Sequence, residues 1–451
     1  MSQLSNNLDK MKKNLSLLCT VLIVVILTGC NGGDSQSNRS GDLYAGDPDP
    51  RHVRVSWTEN PAEHAIVSWT TMAPSTENII YYDTESRSGD LSAYRFSTES
   101  ERYGKITMTP MDETEGVPPG WYHHGQLHDL EPSTRYYLVV ESDGEATEEY
   151  YFITAPTGDE PIKLLSGGDS RMGGDKPRYA GRTPHVDRQA MNRVMSQLLE
   201  ENPDILALAH GADWGTTADW RHLYWWFEDN ELVKTSDNRL LPFIVARGNH
   251  DEEIGFQESF WLAEITDQIS FGYYFTTRIG STVLFTLNSE ISIAGDQREW
   301  LEEELEDLIS GDSAPKWLMA QYHRPAYPVA KEFTRHEFTR VRENWTPIFD
   351  QYQFDLGLES DGHVLKRTMP IRNFEPHEDG VVYIGEGGLG VPQRIPVEGL
   401  WFVQEPGFSA SAHHVWLLDI TRESIDVKAI GENMEVIDEY TVRPKNRNID
   451  L

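Results

Sequence analysis

The chain has 451 residues, with 73 Asp and Glu against 39 Lys and Arg, and a formal charge of −34. That length exceeds what a single core ordinarily needs and suggests two domains. So acidic a surface repels nucleic acid and anionic lipid, which excludes nucleic acid as a partner, and an anionic substrate would need a local site built from metal ions or arginines.

Residues 1–29 read as a processing segment. Lys10, Lys12 and Lys13 precede the apolar run LSLLCTVLIVVIL, which is short for a membrane span. The run ends in LTGC at Cys30, which resembles the lipobox of bacterial lipoproteins. The resemblance implies cleavage before Cys30 and a lipid on it. The protein would then sit in the bacterial cell envelope, facing the periplasm or the surface, and meet the membrane only through that anchor. Cys19, the other cysteine, leaves with the segment, so no disulfide is expected. Residues 30–48 are rich in Gly, Ser, Asn and Asp and read as a flexible tether.

From 49 to 157 the apolar period is two. HVRVSWT, HAIVSWT, RYYLVV and EYYFIT alternate apolar and polar residues between Gly, Pro and Ser turns, which predicts an all-β sandwich. LEPSTRYYLVV resembles a loop and strand of fibronectin type III domains. His123, His124 and His128 are expected to be solvent-facing strand residues rather than a metal site. From 158 to 445 short apolar runs alternate with helical patterns. IKLLSGGD, DILALAHGAD, LPFIVARGNH, STVLFTLNSE, KWLMAQYH and FDLGLESDGH each predict a buried strand. VDRQAMNRVMSQLLEEN and QREWLEEELEDLI predict helices, the second with Trp300, Leu301, Leu305 and Leu308 on one stripe. Residues after about 380 return to strands. The alternation argues a layered α/β core.

Five of these strands end in metal-binding residue types: Asp169, Asp213, Asn249 with His250, His323, and Asp361 with His363. Loops at the carboxyl ends of such strands converge on one crevice. Carboxylate, carboxamide and imidazole together suit Mn, Fe or Zn, one or two ions per chain. Residues two apart on an extended segment point the same way, so Asp361 and His363 could each reach one ion of a pair.

The order GGDSRMGG, HGADWGTT, RGNHDE, MAQYHRPAY and ESDGHVLKRT resembles the motifs of calcineurin-like metallophosphoesterases, and of purple acid phosphatases in particular, over residues 50 to 440. The resemblance implies an α+β multidomain fold, a fibronectin type III-like sandwich followed by a layered α/β/β/α metallophosphoesterase domain. It implies a metal-dependent hydrolase of phosphate esters that uses a metal-bound hydroxide. Asp213 would bridge two ions, with Asp169 and His363 on the first and Asn249, His323 and Asp361 on the second. His250 would stabilise the transition state or protonate the leaving group, and Asp251 would orient it. Arg171 and Arg324, next to proposed ligands, are the candidates for binding the substrate anion.

Three positions depart from the pattern. Asp361 stands where the family has His, and Thr216 where purple acid phosphatases have Tyr. Arg171 stands where the wider superfamily has a His ligand, and a guanidinium cannot bind metal. Either the first site has decayed, or Arg171 grips a substrate anion in partial replacement of a cation. His210 is expected to be packed rather than a substitute ligand, and Trp214, Trp220, Trp225 and Trp226 to be core rather than a sugar platform. Lys366, Arg367, His413 and His414 are expected to be structural. Two alternatives stay open: a sulfate ester hydrolase acting on a polysaccharide, and an inactive ligand-binding relative.

Overall fold

In the computed structural model, which describes residues 46–107, 119–171, 186–215, 220–262, 274–311, 314–445 and 447, the alternating N-terminal runs form two antiparallel layers. Cys30 and Thr216 lie outside the described residues. In one layer Arg51–Ser56 pairs with Ala65–Thr71, which pairs with Trp121–Leu127 and onward to Arg102–Lys105. The other is built on Asn78–Asp83 and Arg135–Ser142, with Phe96–Glu99 and Tyr150–Ile153 beside them. Val55, Trp57, Val67 and Trp69 of the first layer share a core with Ile80, Leu138, Val140 and Phe152 of the second. The period-two pattern puts these residues on inner faces, as a sandwich requires.

The outer face of the first layer is covered as well. Ser56 pairs in parallel register with Phe243, and Trp57 N donates to Phe243 O at 2.8 Å. One ten-stranded sheet therefore runs from the sandwich through Phe243–Val245, Ile205–His210 and Ile162–Gly167 to three C-terminal strands, His414–Ile420, Ile425–Gly431 and Val436–Val442. The position near 157 where the sequence changes pattern falls within the reach of this single sheet. Arg54, polar in an alternating strand, is buried because of it. Its Nε donates to Ser259 O at 2.9 Å, and its guanidinium lies 4.2 Å from the Phe227 ring centroid. One expectation is corrected: His123 and His124 are fully buried, not solvent-facing, His124 under this cover and His123 on the inner face against Trp69. His123 Nε2 lies 3.0 Å from Thr71 Oγ1 and His124 Nδ1 lies 2.7 Å from Ser68 Oγ. Burial pushes His123 down to about 4, so its ring is neutral. His128 alone of the three is exposed.

A second sheet has seven strands, four of them parallel neighbours: Thr282–Thr286, Trp317–Tyr322, Leu356–Glu359 and Val382–Gly385. Alternate residues face opposite cores. Leu284, Met319 and Leu358 pack toward Leu164 and Leu208 of the first sheet. Val283, Phe285, Leu318 and Ala320 pack outward against Leu301 and Leu305 of the helix Asp296–Ser310. The helices Val186–Glu201 and Trp220–Asn230 join the core shared with the first sheet. The layers read helix, sheet, sheet, helix, and the α+β architecture expected from the sequence is present. Among the described residues no helix is long and apolar enough to cross a membrane.

Under the last motif lies a buried ionic triad. Lys366 Nζ contacts Glu359 Oε2 and donates to Glu386 Oε1 at 2.9 Å and Tyr327 O at 3.0 Å. Glu359 Oε1 accepts from Tyr322 Oη at 2.8 Å and Ala326 N at 2.6 Å. The triad ties the strands on either side of Asp361 and His363 to the loop after His323. Lys366→Met leaves two buried carboxylates without their cation and is expected to cost about 3–5 kcal/mol in urea unfolding. Burial pushes the Glu386 carboxyl from its ordinary 4.5 up to about 7, against the pull of Lys366. Folded Glu386 thus holds its proton more tightly than the unfolded chain does, and stability falls as pH rises from about 4.5 to about 7. Glu386→Gln is expected to flatten that fall; an unchanged slope in pH-resolved urea titrations refutes it.

Candidate metal centre

The strand Ile162–Gly167 delivers Asp169 and Arg171, and Ile205–His210 delivers Asp213. The two loops are zipped together: Asp169 N donates to Ala212 O, and Arg171 N to Asp213 O, each at 2.9 Å. Asp169, Asp213, Asp361 and His363 all sit at positive φ, at 55°, 58°, 68° and 55°. Such backbone is sparsely populated for side-chain-bearing residues, and clusters of it belong to functional sites. Close approach is built in too. A Cβ at Gly387 would strike Asp169 Oδ2, and one at Gly248 would strike Asp213 Oδ1.

The acidic and imidazole groups converge across the two sheets. His323 is fully buried. Its Nδ1 faces Gly211 O at 3.1 Å, which points Nε2 inward, 3.0 Å from Asn249 Oδ1, 3.3 Å from Asp213 Oδ1 and 3.6 Å from Asp361 Oδ1. A backbone carbonyl on the far nitrogen is how a metal-binding imidazole is fixed in its tautomer. Burial lowers the His323 pKa, but Asp213, Asp169, Asp361 and Glu290 outweigh it and hold the ring above its ordinary value. On the other side His363 Nε2 lies 3.1 Å from Asp169 Oδ1, and Asp361 N donates to Asp169 Oδ2 at 2.8 Å. Asp169, Asp213, His323, Asp361, His363 and Asn249 thus stand within one cluster. Asp169 lies beside His363, and Asp361 beside His323.

The donor set fits a metal ion. One donor atom from each of Asp169, Asp213 and His323 lies within 4.8 Å of the others. Buried Asp361 Oδ2 and His363 Nδ1 have no hydrogen-bond partner, and Asp169 Oδ1 has only the His363 ring beside it, an arrangement that is costly unless a cation or water meets them. A second cluster that could hold an ion, Asp187, His413 and Glu432, is partly exposed. There both ring nitrogens of His413 are engaged, Nδ1 by Glu432 Oε1 at 2.6 Å and Nε2 by Val391 O at 3.1 Å.

Basic side chains reach into the main cluster. Arg171 Nε donates to Asp213 Oδ2 at 3.1 Å. Arg324 donates through Nε to Glu290 Oε1 at 2.9 Å and through Nη1 to Asp361 Oδ1 at 3.1 Å. Lys331 Nζ donates to the same Asp361 oxygen at 2.6 Å. Burial pushes Asp361 up, but Lys331, His323 and Arg324 bring it down to about 2. The sequence motifs did not single out Lys331 or Glu290. Each lies outside the quoted metal-ligand positions, and only the chain's path brings them in.

Asp251 and the neighbouring groups also find their places. Asp251 Oδ2 accepts from Asp213 N at 2.8 Å and Gly248 N at 2.9 Å; Oδ1 accepts from Trp214 N at 2.8 Å and Gly215 N at 3.3 Å. This carboxylate closes the loop that carries Asp213, where the sequence reading had it orienting His250. His250 is partly exposed, and its backbone N donates to Asp213 Oδ1 at 3.1 Å. His210 is packed as expected, its ring 3.4 Å from that of Trp214, and burial pushes it down to about 3. Trp214, Trp220 and Trp226 are buried core residues, and Trp225 is half-buried.

Comparison with known proteins agrees with this fold. Residues 50–154 match the family described as the purple acid phosphatase N-terminal domain. An uncharacterized Mycobacterium tuberculosis protein is 25% identical over 390 residues, covering 78% of this chain and 66% of the relative. The chain therefore spans about two thirds of that relative's length. A purple acid phosphatase of Glycine max is 22% identical over 392 residues, 79% of this chain and 77% of the relative. The solved structure of a purple acid phosphatase from yellow lupin superposes with a TM-score of 0.71 at 17% identity, covering 89% of this chain and 76% of that one. The fold is that of the purple acid phosphatase-like, calcineurin-type metallophosphoesterases, with a candidate metal-binding site. Because Asp251 satisfies four backbone donors, Asp251→Ala is expected to cost about 3 kcal/mol or more and to weaken metal binding, with Asp251→Asn milder on both counts. Urea titration and calorimetric metal binding measure the two effects.

Proposed function

We propose that the chain is a metal-dependent hydrolase of phosphate esters, carried on a bacterial lipoprotein and set behind a fibronectin type III-like sandwich. The observation that carries this reading is the convergence of Asp169, Asp213 and His323 within 4.8 Å, beside the buried Asp361 Oδ2, which lacks a partner. Asp169, Asp213 and His363 would hold an ion on one side, and Asn249, His323 and Asp361 on the other. A bound Mn, Fe or Zn ion lowers the pKa of a water and neutralises the oxygens of a tetrahedral ester.

The chain's own groups do the rest. Gly211 O holds His323 with Nε2 turned inward, and Asp251 holds the Asp213 loop shut. His250 follows Asn249 directly and its backbone N donates to Asp213 Oδ1, so its partly exposed imidazole would stand at the lip of the cluster. From there its ring can give a proton to the departing alkoxide. Arg171 and Arg324 present guanidinium groups to an ester's oxygens, and the charge of the centre favours anions over neutral substrates.

Assays of the full chain on aryl phosphate, alkyl phosphate, phosphodiester and sulfate esters test the reading. Phosphate ester turnover is expected with added Mn, Fe or Zn, to be lost on chelation and regained on readdition, and to fall to background in His323→Ala. His250→Ala should lose about 10²–10⁴-fold on alkyl phosphates and much less on aryl phosphates, whose leaving group needs no proton. No turnover of any ester at any metal loading would leave a ligand-binding relative in place of an enzyme. The lipid anchor has its own test. Cys30→Ser is expected to appear in the soluble fraction, and a processed variant still bound to membranes refutes the anchor.

A further inference from the structure

Four carboxylates in or beside the centre, Asp169, Asp213, Asp361 and Glu290, are faced by three cations that cannot leave. Arg171 takes Asp213 Oδ2, and Lys331 with Arg324 takes Asp361 Oδ1. All three side chains are mostly buried, at 9%, 15% and 16% exposure for Arg171, Arg324 and Lys331. With His323 neutral these groups sum to one negative charge, and the carboxylate of Asp251 and the guanidinium of Arg394, bonded to the Asp213 and Asp361 loops, offset each other. One divalent ion makes the centre +1, and two make it +3 in a buried setting where like charges are poorly screened. The donor atoms agree with the charge count. Within this centre, among the described residues, the compact set is Asp169, Asp213 and His323, drawn from both halves of the expected pair. An oxygen already taken by a guanidinium or ammonium is a poor ligand for a second ion.

Resting on the hydrolase reading, we infer that the centre holds one metal ion, on Asp169, Asp213 and His323, and that Lys331 with Arg171 and Arg324 binds the substrate's anionic oxygens where a second ion would otherwise lie. Lys331 is then an anion-binding residue that the sequence motifs leave unassigned. Glu290 engages Arg324 through both carboxylate oxygens, Nε at 2.9 Å and Nη2 at 3.2 Å, and fixes the direction in which its remaining N–H groups point. An ammonium and two guanidiniums are permanent charges, so this half of the site is present whether or not metal is bound.

Elemental analysis of the full chain, equilibrated with excess Mn or Zn and freed of loose ions, tests the first half. One ion per chain is expected. Two ions, with ester turnover intact, overturn this inference and leave the hydrolase reading standing; none overturns both. Arg171→His exchanges a fixed cation for a neutral donor, and a second bound equivalent is expected by calorimetry. Inorganic phosphate binding tests the second half on the metal-loaded protein. Lys331→Met is expected to weaken phosphate about 10-fold while the metal count stays at one. Unchanged phosphate affinity in Lys331→Met overturns the anion-binding role. Because the wild-type metal count needs no variant, the inference stays testable even where a variant fails to fold.

Discussion

Asp169, Asp213 and Asp361 are carboxylates buried almost completely and held close together. Their mutual repulsion is the constraint around which the rest of the centre is arranged. Each is met by something of opposite sign or by a directed donor: Asp169 by His363 and the Asp361 N–H, Asp213 by Arg171 and the His250 N–H, and Asp361 by Lys331 and Arg324. The positive-φ backbone at all three is a cost of roughly 1–3 kcal/mol each, and it persists because the loops are over-determined by hydrogen bonds on both sides. A fold that spends stability in this way needs rigid support, and two parallel β layers with helices outside provide it.

That support is itself electrostatic near the last motif. The Lys366 triad lies directly under Asp361 and His363 and is sealed from water. Its members come from three strands and reach the backbone of the loop after His323, so the pose of two different motif segments depends on one ammonium. Asp251 does the same for the Asp213 loop with a single carboxylate and four N–H groups. In both cases a charge buried at a distance from the cluster sets where the cluster's own charges lie.

Much of this was legible in the residues. Each of the six apolar runs became a strand, and each strand-end ligand type reached the cluster, because a buried parallel strand must be apolar along its length and must end where its loop turns out. The core role of Trp214 and Trp226 was equally readable from helical spacing and composition. What could not be read was the set of contacts between segments far apart in sequence. Lys331 is eight residues past His323 in a loop of no regular pattern, and its meeting with Asp361 follows only from the folded path. His124 misled for a related reason. Alternation along one strand reports that one face is apolar, but it is silent about what covers the other, and here a second layer of helix and strand covers it.

The pairing of Ser56 with Phe243 has a mechanical consequence. Turning the sandwich against the α/β layers would break the Trp57 to Phe243 hydrogen bond, interrupt a continuous sheet and strip Arg54 from the Phe227 ring. The molecule has no hinge at that point, so its two halves behave as one lever. Any turn of the cleft therefore carries the sandwich with it.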